Sequence, residues 1–221
     1  MSGTEINLPK TLADHALWRR GKGGSRASLR SADLARARLA QADLAHADLA
    51  GADLRGADLA DACLTKADLT RAYLLGADLA GSNLAEADLT GAYLRGADFT
   101  GSNLAEADLT HIKNDFLAAV LWLPNELDAL RSALISGKID GSTYSGKCAC
   151  LAGTLARARG ISGYNGEWIG NFHTDSNSPR EMWFTGIKPG NMPETNQVAR
   201  IALEWTEEAI MMRDAIRRVG A

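Results

Sequence analysis

The sequence predicts a four-sided solenoid over residues 26–110, preceded by a short helical cap in residues 1–25 and followed by a mainly α-helical domain over residues 111–221. Three observations support this fold class. A leucine recurs every five residues, the pattern repeats most closely at an offset of twenty residues, and the composition changes near His111. A period of five fits neither an amphipathic helix nor a flat strand, so each repeat must turn the chain by a fixed angle.

The repeat has five positions. A small residue comes first, the second position is usually Asp or Asn, the third is Leu, and the last two are variable. It occurs in seventeen consecutive copies from Leu29 to Leu109, with Phe99 in one leucine position. Ala lies two residues before each of these positions and is replaced only by Ser82 and Ser102. Residues 76–90 recur almost unchanged as residues 96–110, which indicates four repeats to a coil.

This run resembles the pentapeptide-repeat family, whose fold is a right-handed quadrilateral parallel β-helix. The resemblance implies that the central Leu or Phe and the small residue two positions before it point inward. Seventeen repeats make about four coils, and at the spacing of β-strands the shaft would be roughly 20 Å long. Residues 15–30, 138–154 and 178–205 are more loosely similar to pentapeptide-repeat proteins of phages and prophages, which implies a place in a virion or tail.

Both ends of the solenoid are expected to be capped, because the end coils of a solenoid otherwise expose their core. Residues 8–20 predict a helical lid that ends at the glycine-rich break of residues 21–24. At the other end, residues 114–123 and 124–135 predict two helices. Pro124 suits a first helical turn and Gly137 suits a stop.

The last third of the chain predicts three further helices. One covers residues 147–159, a second opens at the Ser-x-x-Glu capping box of residues 178–181, and a long one follows Pro193. In the long helix, apolar residues three or four apart predict one buried stripe. That stripe comprises Val198, Ile201, Trp205, Ala209, Met212, Ile216 and Val219.

The charge distribution argues against several classes of function. The net charge is −3, and residues 26–110 alone carry 8 Lys+Arg against 13 Asp+Glu, or −5. A nucleic-acid-binding protein needs a clustered basic surface, so direct nucleic-acid binding is not expected. Without a leader, an apolar run of membrane length or a disulfide framework, the sequence favours a cytoplasmic protein, or one assembled into a virion, with no membrane association.

Aspartates at twenty-residue spacing form the first candidate surface. Asp48, Asp68, Asp88 and Asp108 fall on one side of the shaft, and Asp58, Asp78 and Asp98 on another. One interpretation is a surface that imitates the phosphates of DNA, as in the quinolone-resistance members of the family, which act on DNA gyrase. The other is that Asp and Asn suit the corners of the fold.

Two tyrosines at the same spacing form the second candidate surface. Tyr73 and Tyr93 should lie above one another, with Arg71 and Arg95 beside them, as a contact patch for a protein partner. The alternative is a surface ladder without a binding role.

The sequence gives little support for catalysis. Cys148 and Cys150, with His173 and Asp175, could suggest zinc or a thiol nucleophile, but no second ligand pair follows at zinc-finger spacing. No catalytic residue, metal or cofactor is therefore expected. The favoured function is a non-enzymatic structural or protein-interaction scaffold, with a helical domain that docks a partner or forms a homo-oligomer. The alternative is a DNA-mimicking modulator of gyrase.

Overall fold

A computed structural model describes residues 6–139, 151–158, 183–184, 187 and 189–219. The chain divides into two compact parts, Met1–Leu109 and Thr110–Ala221, called here the repeat domain and the helical domain. The repeat domain contains helix α1, Leu8–Arg19, followed by the coils. The bounds of the remaining helices are α2 Thr110–Val120, α3 Leu127–Ile135, α4 Leu151–Ala158 and α5 Gln197–Val219.

The coils form a quadrilateral parallel β-helix. Single parallel bridges join residues twenty apart, from the Ser28–Asp48 pair to the Asp88–Asp108 pair. Each side of a coil is hydrogen-bonded to its neighbour in both directions. For example, Leu49 N–H donates to Asp68 O at 2.8 Å and Asp68 N–H donates to Ala47 O at 3.0 Å. Four repeats therefore make one coil.

The core is built from the leucine and the small residue of every repeat. From Leu29 to Leu89 the central leucines are at most 4% exposed, and the alanine or serine two positions earlier lines the same interior. Ser82 and Ser102 remain buried because their hydroxyls donate to the carbonyl oxygens of Leu79 and Phe99. Each added coil thus continues one apolar column, as the resemblance predicts.

A tight turn forms every corner. The N–H of the small residue donates to the carbonyl oxygen of the preceding leucine, as in Ala52 to Leu49 at 3.0 Å. The residue just before that small residue has a positive φ in every repeat from Ser31 to Glu106. The five-residue period is therefore a short bridge followed by a turn of fixed geometry.

Helix α1 has defined signals at both ends. The Asn7 side chain accepts a hydrogen bond from the Lys10 N–H at 3.1 Å. At the other end, the N–H groups of Gly21 and Lys22 donate to Trp18 O and Leu17 O, which is a Schellman motif. These contacts explain why the helix stops at the glycine-rich break.

His15 joins α1 to the first coil. Its side chain is buried, and Nδ1 accepts a hydrogen bond from the Ala27 N–H at 3.0 Å. Its ring also stacks on Trp18, with centroids 5.4 Å apart. Arg19 forms an ion pair with Asp43 at 3.3 Å. Helix α1 is therefore attached to the coil edge by a specific polar contact as well as by packing.

The helical domain has an aromatic core. Phe116 lies 5.8 Å from Phe184 and 6.0 Å from Trp205 between ring centroids, and Trp183 lies 5.5 Å from Trp205. Helix α5 packs against α2 and α3, and α3 also packs against α4. Within the described helices of this domain, α5 thus supports α2 and α3, and α4 is joined to them through α3.

The boundaries of α2 and α3 differ from the sequence prediction. Helix α2 begins at Thr110 rather than at residue 114, because Ile112 is buried four residues before Phe116 and extends the apolar face by one turn. It ends at Val120, because Pro124 has no N–H to donate to the Val120 carbonyl oxygen and its ring would clash with that group in a continued helix. Pro124 itself lies in a turn ahead of α3 rather than in its first helical turn.

The predicted apolar stripe of α5 is wrong in its second half. Met212, Ile216 and Val219 are 38%, 68% and 90% exposed. The buried face instead continues through Arg213, whose guanidinium donates to Asp128 Oδ2 at 2.7 Å and to Pro124 O at 3.1 Å. At this end of the helix an ion pair of the buried Arg213 takes the place of buried apolar side chains. The spacing of apolar residues in the sequence does not predict that Arg213 is buried.

Other predicted features lie partly outside the described residues. This applies to residues 147–150 and 159–160 at the ends of the fourth predicted helix and to the capping box at residues 178–181. Residues 183 and 184 are helical. None of the helices in the described ranges is long and apolar enough to cross a membrane.

Candidate functional site

The surface of the β-helix consists of four faces, each defined by the outward residue that precedes the buried leucine. The bridges between coils place these residues in four ladders. Face 1 consists of Ser28, Asp48, Asp68, Asp88 and Asp108; face 2 of Asp33, Asp53, Tyr73 and Tyr93; face 3 of Arg38, Asp58, Asp78 and Asp98; face 4 of Asp43, Cys63, Asn83 and Asn103.

The ladder aspartates and asparagines bind the backbone of their own corners. Asp48 Oδ1 accepts a hydrogen bond from the Ala50 N–H at 3.2 Å, and Asn83 Oδ1 accepts one from the Ala85 N–H at 3.1 Å. This Asx-type contact is a physical reason for Asp or Asn at this position. In Asp48 it engages Oδ1, while Oδ2 accepts a hydrogen bond from Arg30 Nε.

Face 1 is partly neutralised by an arginine that the sequence analysis did not single out. Arg30 Nε lies 3.2 Å from Asp48 Oδ2, and Arg30 Nη2 lies 3.6 Å from Asp68 Oδ2. The Arg30 guanidinium thus pairs with carboxylates of two successive coils. On the adjoining corner, Lys66 Nζ pairs with Glu86 Oε2 at 3.1 Å. Face 1 is therefore a mixed ion-pair surface in its first coils.

Face 2 carries the tyrosine pair. The rings of Tyr73 and Tyr93 are parallel within 3°, with centroids 4.9 Å apart. Their side of the coil is bonded to the coil before it through Tyr73 N–H to Ala52 O and Tyr93 N–H to Ala72 O, both at 2.9 Å. The coil spacing therefore suits ring stacking. The tyrosines are 43% and 41% exposed, so the stack faces outward.

Two arginines flank this pair diagonally. Arg71 lies on the corner before Tyr73, Arg95 on the corner after Tyr93, and both are exposed. Neither forms an ion pair with a carboxylate of the described residues. Arg71, Tyr73, Tyr93 and Arg95 together are called here the Tyr–Arg patch.

The lower part of face 2 is different, because its arginine is already engaged. Arg55 Nε donates to Asp53 Oδ1 at 2.8 Å. This hydrogen bond lowers the pKa of the Asp53 carboxyl and raises the pKa of Arg55. The sequence signal for the pair is the spacing of two residues between Asp53 and Arg55 across one corner.

The candidate site residues therefore fall on two adjoining faces. Asp48, Asp68, Asp88 and Asp108 share face 1. The Tyr–Arg patch lies on face 2 and its corners, and Arg71 is on the corner that the two faces share. The missed residue Arg30 lies on that same corner, directly after the buried Leu29.

Metal binding has no candidate cluster in the described part of the chain. No cluster of three or more metal-ligating side chains occurs there. Cys63 is a partly buried free cysteine whose Sγ lies 3.6 Å from Thr65 Oγ1. Cys148, Cys150, His173 and Asp175 lie outside the described residues.

The repeat match identifies the family. The model of the pentapeptide repeats family matches residues 25–61, 62–101 and 72–110, in eight copies. The chain therefore belongs to the pentapeptide repeat family through its repeat domain, and membership implies the right-handed sense of the quadrilateral β-helix. No curated protein matches the sequence.

Solved structures of other pentapeptide repeat proteins resemble the repeat domain. A protein from Nostoc PCC 7120 is 36% identical, with 38% of this chain and 78% of that chain covered and a TM-score of 0.35. One from the Arabidopsis thaliana thylakoid lumen is 32% identical, over 39% of this chain and 64% of that chain, with a TM-score of 0.30.

A third similar structure is that of QnrB1, a plasmid-mediated fluoroquinolone resistance protein. It is 27% identical, over 40% of this chain and 50% of that chain, with a TM-score of 0.22. This chain thus covers less than two thirds of the length of the Arabidopsis protein and of QnrB1.

Proposed function

We propose that the protein is a non-enzymatic interaction scaffold that binds a partner protein through the Tyr–Arg patch. The observation that carries this proposal is the exposed, stacked pair of Tyr73 and Tyr93. Tyrosine and arginine are enriched at the energetic centres of protein interfaces, because they offer large contact area with a polar end. The aspartates of face 1, Asp48, Asp68, Asp88 and Asp108, form the polar rim beside the patch.

The rigidity of the β-helix supports this role. Each side of an inner coil is hydrogen-bonded to the coils on both sides, so the positions of the Tyr–Arg patch are fixed before a partner arrives. A preorganised surface loses less conformational entropy on binding than a flexible loop does.

The helical domain contributes assembly in this proposal. Met211, Ile216 and Val219 are exposed on the last turns of α5, and we propose that they cover the same turns in a second copy. Incorporation into a phage virion or tail is the form of assembly that the looser sequence resemblance suggests. A cytoplasmic location before assembly is part of the same proposal.

The proposal is tested by co-purification from cells of the source organism. The tagged wild-type protein is compared with the Tyr73→Ala/Tyr93→Ala variant and with Asn83→Ala/Asn103→Ala, which changes the stacked asparagines of face 4. Mass spectrometry should identify a protein that the asparagine variant retains and the tyrosine variant loses by at least about tenfold. Equal recovery with all three proteins would contradict a role for the patch.

A second candidate function has its own supporting observation. Asp58, Asp78 and Asp98 form a straight acidic ladder on face 3, next to the side-chain-free corner of Gly56, Gly76 and Gly96. Such a face could imitate DNA and bind gyrase, the interpretation that the quinolone-resistance members suggest. Supercoiling by purified gyrase should then be inhibited in a salt-sensitive manner, and Asp78→Asn/Asp98→Asn should weaken the inhibition. An unaffected gyrase removes this alternative.

A further inference from the structure

A groove of about 460 Å³ lies on the corner between face 1 and face 2. It runs from Arg30 in the first coil to Arg71 and Thr90, with Ala50 and Gly51 between them. At this corner the positive-φ position alternates between a side chain and glycine, in the order Ser31, Gly51, Arg71 and Gly91. Gly51 lines the groove without a side chain, and a Cβ there would lie 3.5 Å from Ser31 Oγ.

The charged groups at the two ends of the groove are not equivalent. Arg30 is already paired with Asp48 and Asp68. Thr70 also has its hydroxyl engaged, because Oγ1 donates to Asp68 Oδ1 at 2.6 Å. Arg71 has no carboxylate partner within the described residues and is exposed. The groove therefore has one guanidinium whose donors are available to a ligand.

Arg71 also connects the groove to the tyrosine pair. It precedes Tyr73 by two residues, and its Cγ lies 3.4 Å from the position that a Cβ on Gly91 would occupy. The side chain thus leans along the corner toward the coil that carries Tyr93. Tyr73 follows Arg71 by two residues and stacks on Tyr93, so the tyrosine pair occupies the face that adjoins this corner.

We propose that the groove binds the carboxylate of a Glu or Asp side chain in a partner's peptide segment, with the neighbouring apolar side chains of that segment packed on Tyr73 and Tyr93. The inference rests on the proposed interaction function and adds the chemical class of the segment. A carboxylate matches the guanidinium in charge and in the planar arrangement of its two oxygens.

The surrounding charge selects an isolated carboxylate over a polyanion. Residues 26–110 carry a net charge of −5, and Asp48 and Asp68 lie on the face beside the groove. A nucleic-acid strand would bring successive phosphates against these carboxylates, whereas one acidic side chain between apolar neighbours brings a single charge to Arg71. The partner segment is therefore acidic at one position and apolar beside it.

The test uses two short peptides as probes of the full-length protein. Acetyl-Leu-Glu-Leu-amide and acetyl-Leu-Gln-Leu-amide are titrated at constant ionic strength while the backbone amide resonances of Gly51, Arg71 and Tyr73 are followed by NMR. The Glu peptide should shift these resonances saturably and bind roughly 1.4- to fivefold more tightly than the Gln peptide, the range for an exposed ion pair. In Arg71→Gln this preference should disappear.

Arg36→Gln is the matched control. Arg36 is also exposed, has a positive φ and occupies the same position of its repeat, but on another corner. It should leave the preference unchanged. Equal binding of both peptides at Tyr73 would overturn the carboxylate assignment and leave the interaction face standing. Absence of any shift at Gly51 and Arg71 would overturn the groove as a binding site, whatever the co-purification experiment finds.

Discussion

The corner residue of each repeat adopts a left-handed backbone conformation, yet the chain often uses residues other than glycine there. Positive φ angles of 58° and 61° occur at Arg36 and Gln41, and of 63° at Gly76. A non-glycine residue pays about 1–2 kcal/mol for this conformation. The hydrogen-bonded coils on either side therefore stabilise the strained corners, and glycine at some of them relieves the strain.

Gly76 isolates this backbone cost from steric effects. No atom lies within 4 Å of the position that a Cβ would occupy. Gly76→Ala should therefore lower the free energy of unfolding by about 1 kcal/mol, and Gly76→Asn should lower it less, because Asn tolerates positive φ better. Urea denaturation monitored by circular dichroism measures both. Identical losses would show that the backbone conformation is not the cause.

His15 gives the contact between α1 and the first coil a defined pH dependence. Burial lowers its pKa below the usual 6.5 despite the opposing charge of Asp43, and the nearby Arg19 and Arg26 lower it further. The unfolded chain therefore binds a proton at a higher pH than the folded chain does. The contribution of His15 to the free energy of unfolding is fully present above about pH 6.5. It is lost as the pH falls from there toward the lower pKa of the folded state.

Replacement of the imidazole tests this dependence. His15→Asn keeps an acceptor for the Ala27 N–H but does not titrate in this range. The melting temperature of the wild-type protein should fall more steeply between pH 7.5 and pH 5.5 than that of the variant. Parallel curves for the two proteins would exclude His15 as the titrating group.

At this scale the sequence predicts the repeat positions well and the contacts between them only in part. The inward leucines and alanines follow from the five-residue period, and the stacking of Tyr73 on Tyr93 follows from the twenty-residue offset. The Arg30 ion pairs do not follow from either, since they depend on which way a long side chain leans between coils.

Each helix has local sequence signals, but packing against other helices determines where some helices begin and which of their residues are buried. Helix α1 stops where its glycine-rich break predicts, because the break supplies the required turn geometry. Helix α2 starts early because Ile112 is buried, and near the end of α5 the buried position is Arg213, which pairs with Asp128. Those two features depend on neighbouring helices, so periodicity within one segment could not predict them.

The attachment of α1 depends on a close approach at Gly24. A Cβ on Gly24 would lie 2.1 Å from the carbonyl oxygen of Asp14, whereas a Cβ on Gly23 would have no atom within 4 Å. Both residues have positive φ. Gly24→Ala should therefore detach α1, whereas Gly23→Ala should impose only the backbone cost.

The rate of limited proteolysis within α1 distinguishes these two variants. In Gly24→Ala, cleavage within α1 should be at least about tenfold faster than in the wild-type protein, because local opening exposes the helix. In Gly23→Ala the rate should change much less. Equal sensitivity of the two variants would contradict the proposed close approach.

At the scale of the whole molecule, a repeat domain and a helical domain divide the proposed work between recognition and assembly. The acidic repeat domain presents the Tyr–Arg patch on a rigid face, and the helical domain has an exposed apolar end on α5. The fold of the repeat domain follows from its sequence because each coil repeats the same local rules. The identity of the partner does not follow from the sequence, since only a few surface residues specify it.

Assembly through α5 is tested by the molar mass of the full-length protein in solution. Light scattering should give a defined oligomer for the wild type and a monomer for Ile216→Glu, whose side chain is exposed within the chain and should not disturb its core. Tyr73→Ala should leave the mass unchanged. A monomeric wild type would contradict assembly through this helix.

Site-specific photo-crosslinking in cells of the source organism tests the central claim most directly. A benzoylphenylalanine is placed at Tyr93 on face 2 or at Asn103 on face 4 of the same coil. A binding scaffold that uses the Tyr–Arg patch should give one discrete protein adduct from position 93 and none from position 103. Adducts of equal yield from both positions, or from position 103 alone, would contradict the account.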